Sequence, residues 1–431
     1  NASSLYRYNL QECIQMALRH NEELKVKHYD VQSIIAKKME ATKRYIPVVN
    51  YTYRFAPVPR DINNPAQSFF SGDISVINSI KLSAGIPVTH FGRITVAREL
   101  ADIGIDAAKL NKQRKADEVV LDIYKLYYGI LLARESKVLA NKGLDAINKK
   151  IKALEEEETT DQLQILKLKA IIYQVEKKLD EAITKETIAL EMLKFRIGVS
   201  EDLRVDIKDR YLKREHYKIK PLDDLLATTK AKRPEYKLLA FQVQAKHKQL
   251  VLEKKEYYPK LNLGGFFEYG VSPGIRGDDQ ESSLTNPLNF LKAGMGFELS
   301  GKLDFRKIKS KVYFARAELN KAKSDKVANE ALLSVDLKNA YLNLKQRMKL
   351  LWRADKEKRS ARQVVFLTKS NVDIGLGDKK EYLEALQSYL LIQAAVYENI
   401  FNYNVAVATL KQKLGKLYDP KELHVQGYKY E

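Results

Sequence analysis

The sequence predicts an α+β fold in which one unit, made of long helices and two β-strands, occurs twice in tandem. Three observations carry this prediction. The two halves of the chain align with each other almost without gaps, two stretches of more than sixty residues contain no proline, and four segments alternate between apolar and polar residues. The last pattern is typical of strands with one buried face. We therefore expect a duplicated architecture rather than two or three separate globular domains.

Composition excludes several classes of protein. The chain has 431 residues, of which 45% are hydrophobic and 30% charged. This balance is too apolar for a disordered chain and too polar for a protein with many membrane-spanning helices. The formal net charge of +20 raises the question of nucleic-acid binding. Because Lys and Arg are interleaved with Glu along the predicted helices, no basic patch is predicted and no nucleic-acid partner is expected.

The duplication is visible residue by residue. Residues 10–55 align without a gap on residues 222–267, at an offset of 212. The sharpest shared motif is Tyr-x-Pro-x-x-Asn, which occurs at residues 45–50 and again at 257–262. Further along the chain the offset rises to 214 and then to 217, as small loop insertions between two copies would produce. The predicted repeats are 1–212 and 213–431.

Each repeat is predicted to contain a helix, two strands, a long helix, a turn and a further helix. The first helix ends before Pro47 in one repeat and near Pro259 in the other, since a proline disfavours helix in the residue before it. Apolar residues between 305 and 322 recur at alternating steps of three and four, which is coiled-coil spacing. At the rise of an α-helix the two long helices would each measure roughly 95–105 Å. The predicted elements of the first repeat are helix 10–46, strands 48–56 and 74–89, long helix 92–155 and helix 161–197. Those of the second are helix 222–258, strands 260–270 and 290–303, long helix 305–375 and helix 378–414.

The four predicted strands carry apolar residues on one face and polar residues on the other. In the first strand Val49, Tyr51 and Tyr53 alternate with polar residues, and the other strands repeat the pattern. Such strands, with aromatic residues near their ends, are typical of a transmembrane β-barrel, although an ordinary half-buried sheet has a similar pattern. Four strands are too few to close a membrane barrel, whose smallest examples have about eight. If the sheet spans a membrane, several chains must share one barrel.

The order of these elements, and their tandem duplication, resembles the TolC-like outer membrane efflux proteins over about residues 5–425. Short motifs add to the likeness, although Asp304-Phe305-Arg306 lacks the glycine expected at the start of the second long helix. The matching motifs are the helix-to-strand prolines Pro47 and Pro259, Phe91-Gly92-Arg93 before the first long helix, and the closing Leu-x-x-x-x-Gly sequences that end at Gly198 and Gly415.

The resemblance implies a homotrimer in the outer membrane. Three copies of four strands would form one twelve-stranded β-barrel, and three copies of the helices would form a periplasmic tunnel with a belt built from segments 199–212 and 416–431. Such a protein is the passive exit duct of a tripartite efflux or type I secretion system. Its partners would be a periplasmic adaptor protein, an inner membrane transporter and the outer membrane lipid. The transporter would decide whether the cargo is a drug, a metal or a protein.

The resemblance also implies where the adaptor binds. The turn of the second helical hairpin resembles the family's Gly-Leu contact turn, whereas the first hairpin has a run of glutamates there, so that contact at the first hairpin would use acidic side chains. The expected contact residues are Asp373, Gly375, Leu376 and Gly377 in the second hairpin and Glu157, Glu158 and Thr159 in the first.

A periplasmic gate is implied next to the second turn. Asp378, Glu381 and Glu384 match the acidic residues that form a ring at the constriction in this family. Glu381 and Glu384 are three residues apart and therefore share one face of a helix. Threefold symmetry would bring their six carboxylates together in a narrow aperture that attracts cations. A merely solvated helix face stays open as the alternative for each of these carboxylates.

No motif predicts catalysis or a cofactor. Residues 296–302 fit most of a phosphate-binding loop, but Leu303 replaces the Ser or Thr that would bind magnesium. The six histidines form no i,i+3 or i,i+4 pair suited to a metal site. The single cysteine, Cys13, excludes a disulfide framework and is expected to be a packed thiol. The sequence therefore predicts that the protein is not an enzyme and binds no cofactor.

Two other functions stay open. A soluble coiled-coil scaffold, or a basic helical protein that binds membranes or nucleic acid, would explain the helices and the charge but not the four alternating strands. An independent porin-like diffusion channel would explain the strands but gives the long helices no role.

Overall fold

A computed structural model describes residues 5–42, 47–155, 162–200, 202–276, 286–419 and 423. No helix within these ranges is both long enough and apolar enough to cross a bilayer. The strands are β1 (Leu5–Tyr8), β2 (Val48–Pro59), β3 (Ile74–Thr89), β4 (Arg204–Ile207), β5 (Lys260–Val271) and β6 (Phe290–Ser300). The helices are α1 (Leu10–His20), α2 (Glu22–Thr42), α3 (Pro65–Phe70), α4 (Arg93–Glu155), α5 (Gln162–Ile197), α6 (Leu222–Lys232), α7 (Pro234–Lys254), α8 (Phe305–Asp373) and α9 (Lys379–Lys413).

The chain forms two compact units, and each takes segments from both predicted repeats. The first unit contains Asn1–Val31, Ala107–Ala240 and Lys326–Glu431, and the second contains Gln32–Asp106 and Phe241–Asp325. The second unit therefore holds the four long strands together with the helical segments next to them in the chain. The boundary predicted between the repeats, after residue 212, lies inside the first unit and stays a prediction.

In the second unit the four long strands form one antiparallel sheet in the order β2-β3-β5-β6. The register aligns the predicted apolar face from strand to strand. Tyr53 lies opposite Ile80, Ile80 opposite Tyr269, and Tyr269 opposite Leu291. The face is open to its surroundings, since Met295 is 84% exposed. An apolar surface that runs across a whole sheet needs lipid or another protein to cover it.

Two strands are longer than predicted and one is shorter. Strand β2 continues past residue 56 to Pro59, β5 continues by one residue to Val271, and β6 ends at Ser300 instead of 303. The segment between β2 and β3 contains a short helix, α3. Its Ser68 hydroxyl accepts the N–H of Arg60 at 3.0 Å and donates to the carbonyl of Asp73 at 2.6 Å, which ties the end of β2 to the start of β3.

The first helix of each predicted repeat is interrupted. The sequence predicts single helices at 10–46 and 222–258, but the first breaks at Asn21 and the second at Arg233. The Asn21 side chain accepts the N–H of Leu24 at 3.2 Å and so caps the helix that follows. Arg233 precedes Pro234, and a proline removes a backbone donor and disfavours helix in the residue before it.

The long helices bury two main clusters of apolar side chains in the first unit. Leu18, Tyr127 and Leu193 lie in one cluster and Leu344 and Leu410 in the other, each at most 1% exposed. In the second unit the coiled-coil spacing predicted for the start of α8 holds for most of its positions. The buried seam residues there are Ile308, Ala315, Leu319 and Ala322.

A short parallel pair of strands in the first unit is absent from the prediction. Strand β1 pairs with β4, with Leu5 opposite Arg204 and Tyr8 opposite Ile207. Each strand has only four residues, too few for an alternating pattern to be recognised, and the pairing joins distant parts of the chain. Strand β4 lies in the predicted belt segment 199–212. Of the other belt segment, 416–431, the structure describes residues 416–419 and 423.

Candidate functional site

The predicted adaptor-contact turn joins α8 to α9 in the first unit. Helix α8 ends at Asp373, and the N–H groups of Gly375 and Leu376 donate to the carbonyls of Val372 at 3.0 Å and Asn371 at 2.9 Å. Gly375 has a φ of 77°, in the left-handed region that glycine adopts with little strain. This is the hydrogen-bond pattern with which many helices end in a glycine. The backbone of the turn is therefore fixed by its own bonds.

Gly377 is required for a different reason. A Cβ atom at this position would lie 2.8 Å from the Cβ of Asn371, so a larger residue would force the turn apart. Leu376, between the two glycines, is 83% exposed, and Ile374, just before them, is 67% exposed. The turn thus holds two apolar side chains out into solvent on a rigid backbone. Apolar side chains presented in this way are suited to docking against another protein.

The three acidic residues predicted for the gate have different environments. Asp378 is the N-cap of α9, and its carboxylate accepts the N–H of Lys380 at 2.8 Å. Glu381 and Glu384 are exposed one turn apart on the same helix. Neither forms an ion pair with a cation whose side chain the structure describes. The Asp378 carboxylate is therefore engaged in holding the helix start, while the other two are open to ions or to a neighbouring chain.

The counterpart turn of the first hairpin, which includes Glu157, Glu158 and Thr159, lies outside the described residues. The helices on either side of it pack together through Ile151, Leu154 and Ile165, which are 5–8% exposed. The acidic contact predicted for this turn stays a prediction.

The two predicted junction prolines stand directly before strands. Pro47 precedes β2 and Pro259 precedes β5. Next to the second proline, the ring of Tyr258 stacks on Phe91 with 5.8 Å between ring centroids. The Lys255 ammonium donates to the carbonyl of Phe91 at 2.7 Å. The aromatic start of the first long helix is thus fastened to the end of the helix that leads into β5.

Sequence reasoning missed a network of ion pairs at the Asn21 break, in the first unit. Arg196, near the end of α5, pairs with Glu23 at 2.7 Å and with Asp122 of α4 at 3.0 Å. Lys115 pairs with Glu23 at 2.7 Å, and this hydrogen bond holds the pKa of the Glu23 carboxyl below its ordinary value. The Asn21 amide donates to the carbonyl of Arg196 at 2.9 Å. Three helices are joined at this point.

A second network occupies the Arg233 break. Arg233, only 4% exposed, pairs with Glu235 at 3.1 Å and with Asp336 of α8 at 3.0 Å. Lys413, the last residue of α9, pairs with Asp336 at 2.9 Å. Burial raises the pKa of Asp336, but the hydrogen bonds from Lys413 and Arg233 outweigh it and hold that pKa below its ordinary value. The signal for both networks was present in the sequence as charged residues at equivalent positions of the two repeats.

The described residues contain no cluster of three or more His, Cys, Asp or Glu side chains that could hold a metal ion. Cys13 is fully buried, and burial raises the pKa of its thiol to about 12. Because a thiol reacts as its thiolate, this cysteine is unreactive near neutral pH.

One family model matches part of the chain. The model of the outer membrane efflux protein family matches residues 225–416, from within α6 to just past α9. No protein of curated function matches the chain in sequence.

Several solved outer membrane channels are similar to the chain in structure. The open-state MtrE channel of Neisseria gonorrhoeae has a TM-score of 0.76 at 16% identity, over 95% of this chain and 89% of that one. The CmeC channel of Campylobacter jejuni has a TM-score of 0.75 at 16% identity, over 95% and 86%. VceC, an outer membrane protein of Vibrio cholerae, has a TM-score of 0.73 at 14% identity, over 94% and 96%.

The likeness confirms the predicted fold, a TolC-like channel fold with a helical tunnel and a β-barrel. Together with the family match it confirms the predicted resemblance to outer membrane efflux proteins, which are channels and not enzymes. By their descriptions, the matched structures are outer membrane channels. The shared fold, with its four-stranded sheet, is not that of a purely helical coiled-coil scaffold.

Proposed function

We propose that this chain is an outer membrane efflux channel and forms a homotrimer that serves as the exit duct of a tripartite efflux or type I secretion system. The duct conducts passively. An inner membrane transporter supplies the cargo and the energy, and a periplasmic adaptor protein connects the two.

The four-stranded sheet carries the proposal of a shared barrel. Within the described residues β2 and β6 are the edge strands, and each has one side without a partner. Unpaired backbone N–H and C=O groups cannot face lipid, because no water is present there to satisfy them. A sheet with one face apolar across all its strands must therefore pair its edge strands with further strands in the membrane. Three copies give twelve strands, enough to close a barrel that one chain cannot close.

The turn after α8 supports docking of the adaptor. The two apolar side chains that it exposes, Ile374 and Leu376, stand on a backbone fixed by Gly375 and Gly377. A rigid, exposed apolar contact loses little conformational entropy when a partner binds it. We assign the adaptor contact to this turn, with Asp373 at its edge.

The gate is assigned to Glu381 and Glu384. Six carboxylates brought close together by threefold symmetry repel one another, so they favour cations in the aperture and leave the closed state easy to disrupt. Asp378 contributes by fixing the start of α9, since its carboxylate already accepts a backbone N–H. Opening consists of outward movement of the hairpin tips, driven by the adaptor, with no chemical step.

The test is a reversible cross-link at the tip. Leu376→Cys places one exposed thiol in each copy, and a bis-maleimide with a cleavable disulfide in its spacer joins them. Cells that lack the chain are first used to find the compound whose export is lost. Cross-linked Leu376→Cys should block export of that compound, and cleavage by a reductant should restore it.

The chain offers a matched control. Phe70 of α3 is 89% exposed and lies outside the hairpin, so Phe70→Cys accepts the same reagent without bridging the tip. The native Cys13 is fully buried and does not compete for the reagent. Export at the normal rate with the tip cross-linked would contradict gating at this turn.

A further inference from the structure

The polar face of the four-stranded sheet carries an excess of cations in two adjacent rows. In one row Lys81 lies opposite Glu268, and Glu268 opposite Lys292. In the neighbouring row Arg54 lies at the β2 end and Phe290 at the β6 end. Each chain thus places three cations and one carboxylate here, close to the loops that join β2 to β3 and β5 to β6.

The single carboxylate does not balance these cations. Glu268 pairs with Lys81 at 3.6 Å. Lys292 and Arg54 form no ion pair with a carboxylate that the structure describes. The Lys292 ammonium instead lies 5.0 Å from the centre of the Phe290 ring. A ring holds a cation only weakly when water is present, so this ammonium can still bind an anion.

Two aromatic rings line the same face. A Cβ atom on Gly270 would lie 2.5 Å from the Phe290 ring, and a Cβ atom on Gly294 would lie 3.0 Å from the Phe266 ring. Each ring therefore covers a glycine of the neighbouring strand and lies close against the wall of the sheet. The patch formed by Phe266, Phe290 and Lys292 combines apolar surface with positive charge.

This inference rests on the proposed trimer, because only a closed barrel turns the polar face into a lumen. The opposite face is apolar across all four strands and belongs against lipid. Three copies would then place nine cations and three carboxylates in these two rows of the lumen wall. Rings of Lys and Arg favour anions in pores, just as rings of Asp and Glu favour cations.

We propose that Arg54, Lys81 and Lys292 form an anion-selecting ring in the barrel, and that the adjacent phenylalanines suit it to organic anions with an aromatic part. The ring is opposite in sign to the acidic residues of α9. Cargo that passes both must therefore be handled by two different electrostatic filters. Lys81 and Glu268 also form a cross-strand ion pair, which supports the pairing of β3 with β5.

Reversal potentials in planar bilayers test the ring. The purified protein carries Glu381→Gln and Glu384→Gln in every sample, so that the acidic residues of α9 do not dominate selectivity. Adding Arg54→Gln and Lys292→Gln should lower the chloride-to-potassium permeability ratio by at least about twofold. Glu268→Gln should raise the same ratio, and Lys292→Arg should leave it nearly unchanged, because it keeps the charge.

Failure of the ring and failure of the proposed channel give different results. Absence of any conductance from the parent protein would contradict the channel itself. Normal conductance with a permeability ratio that none of these substitutions changes would overturn the ring.

A second measurement uses 1-naphthalenesulfonate as the probe anion. It should reduce the potassium chloride current of the parent protein and do so several-fold less well after Lys292→Gln or Phe290→Leu. Equal block of the parent and both variants would overturn the assignment to organic anions.

Discussion

The two helix breaks in the first unit are stabilised by different side chains. At the first break an asparagine amide, Asn21, caps the next helix, and the cation that joins the helices comes from α5 as Arg196. At the second break the amide is replaced by a guanidinium, Arg233, which sits between Glu235 and Asp336.

The partners of the two breaks correspond along the chain. Glu23 and Glu235 are related by the offset of 212, Asp122 and Asp336 by 214, and Arg196 and Lys413 by 217. The closing glycines follow the same relation. Both Gly198 and Gly415 have positive φ, at 69° and 63°. Contacts that recur at the alignment offsets support the proposed duplication more strongly than residue identities do, because they require the same helices to meet at the same place.

The two breaks differ in how deeply their charged side chains are buried. A buried cation is tolerated only while carboxylates surround it, and removing one partner leaves an uncompensated charge. Arg233 is 4% exposed, whereas the Arg196 side chain is 16% exposed and the amide at Asn21 carries no charge. The second break should therefore be the more sensitive of the two to substitution.

The largest expected effect is that of Arg233→Ala. Loss of the guanidinium leaves Glu235 without its partner and Asp336 with only Lys413, which should cost about 3–5 kcal/mol of unfolding free energy. The matched Arg196→Ala should cost less, about 1.5–3 kcal/mol, because the Arg196 side chain is less buried and loses less packing when it is truncated. Denaturant unfolding of the detergent-purified protein, followed by circular dichroism, measures both. An equal cost for the two variants would remove the proposed difference.

The next difference is expected between the two closing glycines, whose replacement by alanine should destabilise the protein to different extents. A Cβ atom at Gly198 would lie 2.4 Å from the carbonyl oxygen of His20, whereas one at Gly415 would lie 3.2 Å from that of Lys232. Both alanine variants bear the cost of the left-handed backbone, about 1–2 kcal/mol. Gly198→Ala must in addition displace α1, so it should cost about 2–4 kcal/mol in total. A melting midpoint for Gly198→Ala no lower than that for Gly415→Ala would be evidence against this contact.

The remaining expected effect is a pH dependence next to the second break. Burial, and then the charge of Glu235, raise the pKa of Asp117 to about 7. Since the folded chain holds this proton more tightly than the unfolded chain, ionisation of Asp117 lowers stability progressively as the pH rises from about 4 to about 7. Asp117→Asn should therefore raise the melting midpoint near pH 8 and leave it almost unchanged near pH 4.

A control for that measurement lies on the same helix. Asp145 is exposed on α4, so Asp145→Asn should shift the midpoint little at either pH. If the melting midpoint of Asp117→Asn rose equally at both pH values, the gain in stability would not come from the ionisation of Asp117.

The strands were predictable because their signal is local. A period of two fixes which residues share a face, and the register of Tyr53, Ile80 and Tyr269 follows that pattern. Pro234 is an equally local signal, yet a single helix was predicted across it. The cap at Asn21 was harder to predict, since an asparagine inside a helical pattern can also have other roles. The pairing of β1 with β4 was harder still, because it depends on contacts between distant segments. The acidic residues of α9 were located from family resemblance, and the capping role of Asp378 emerged only from the backbone.

The stoichiometry of the purified protein tests the central claim most directly. Native mass spectrometry in detergent should give three times the chain mass of 49.5 kDa, because three sheets of four strands are needed to close the barrel. A stable monomer would contradict the account, since its sheet edges at β2 and β6 would have no partner in the membrane.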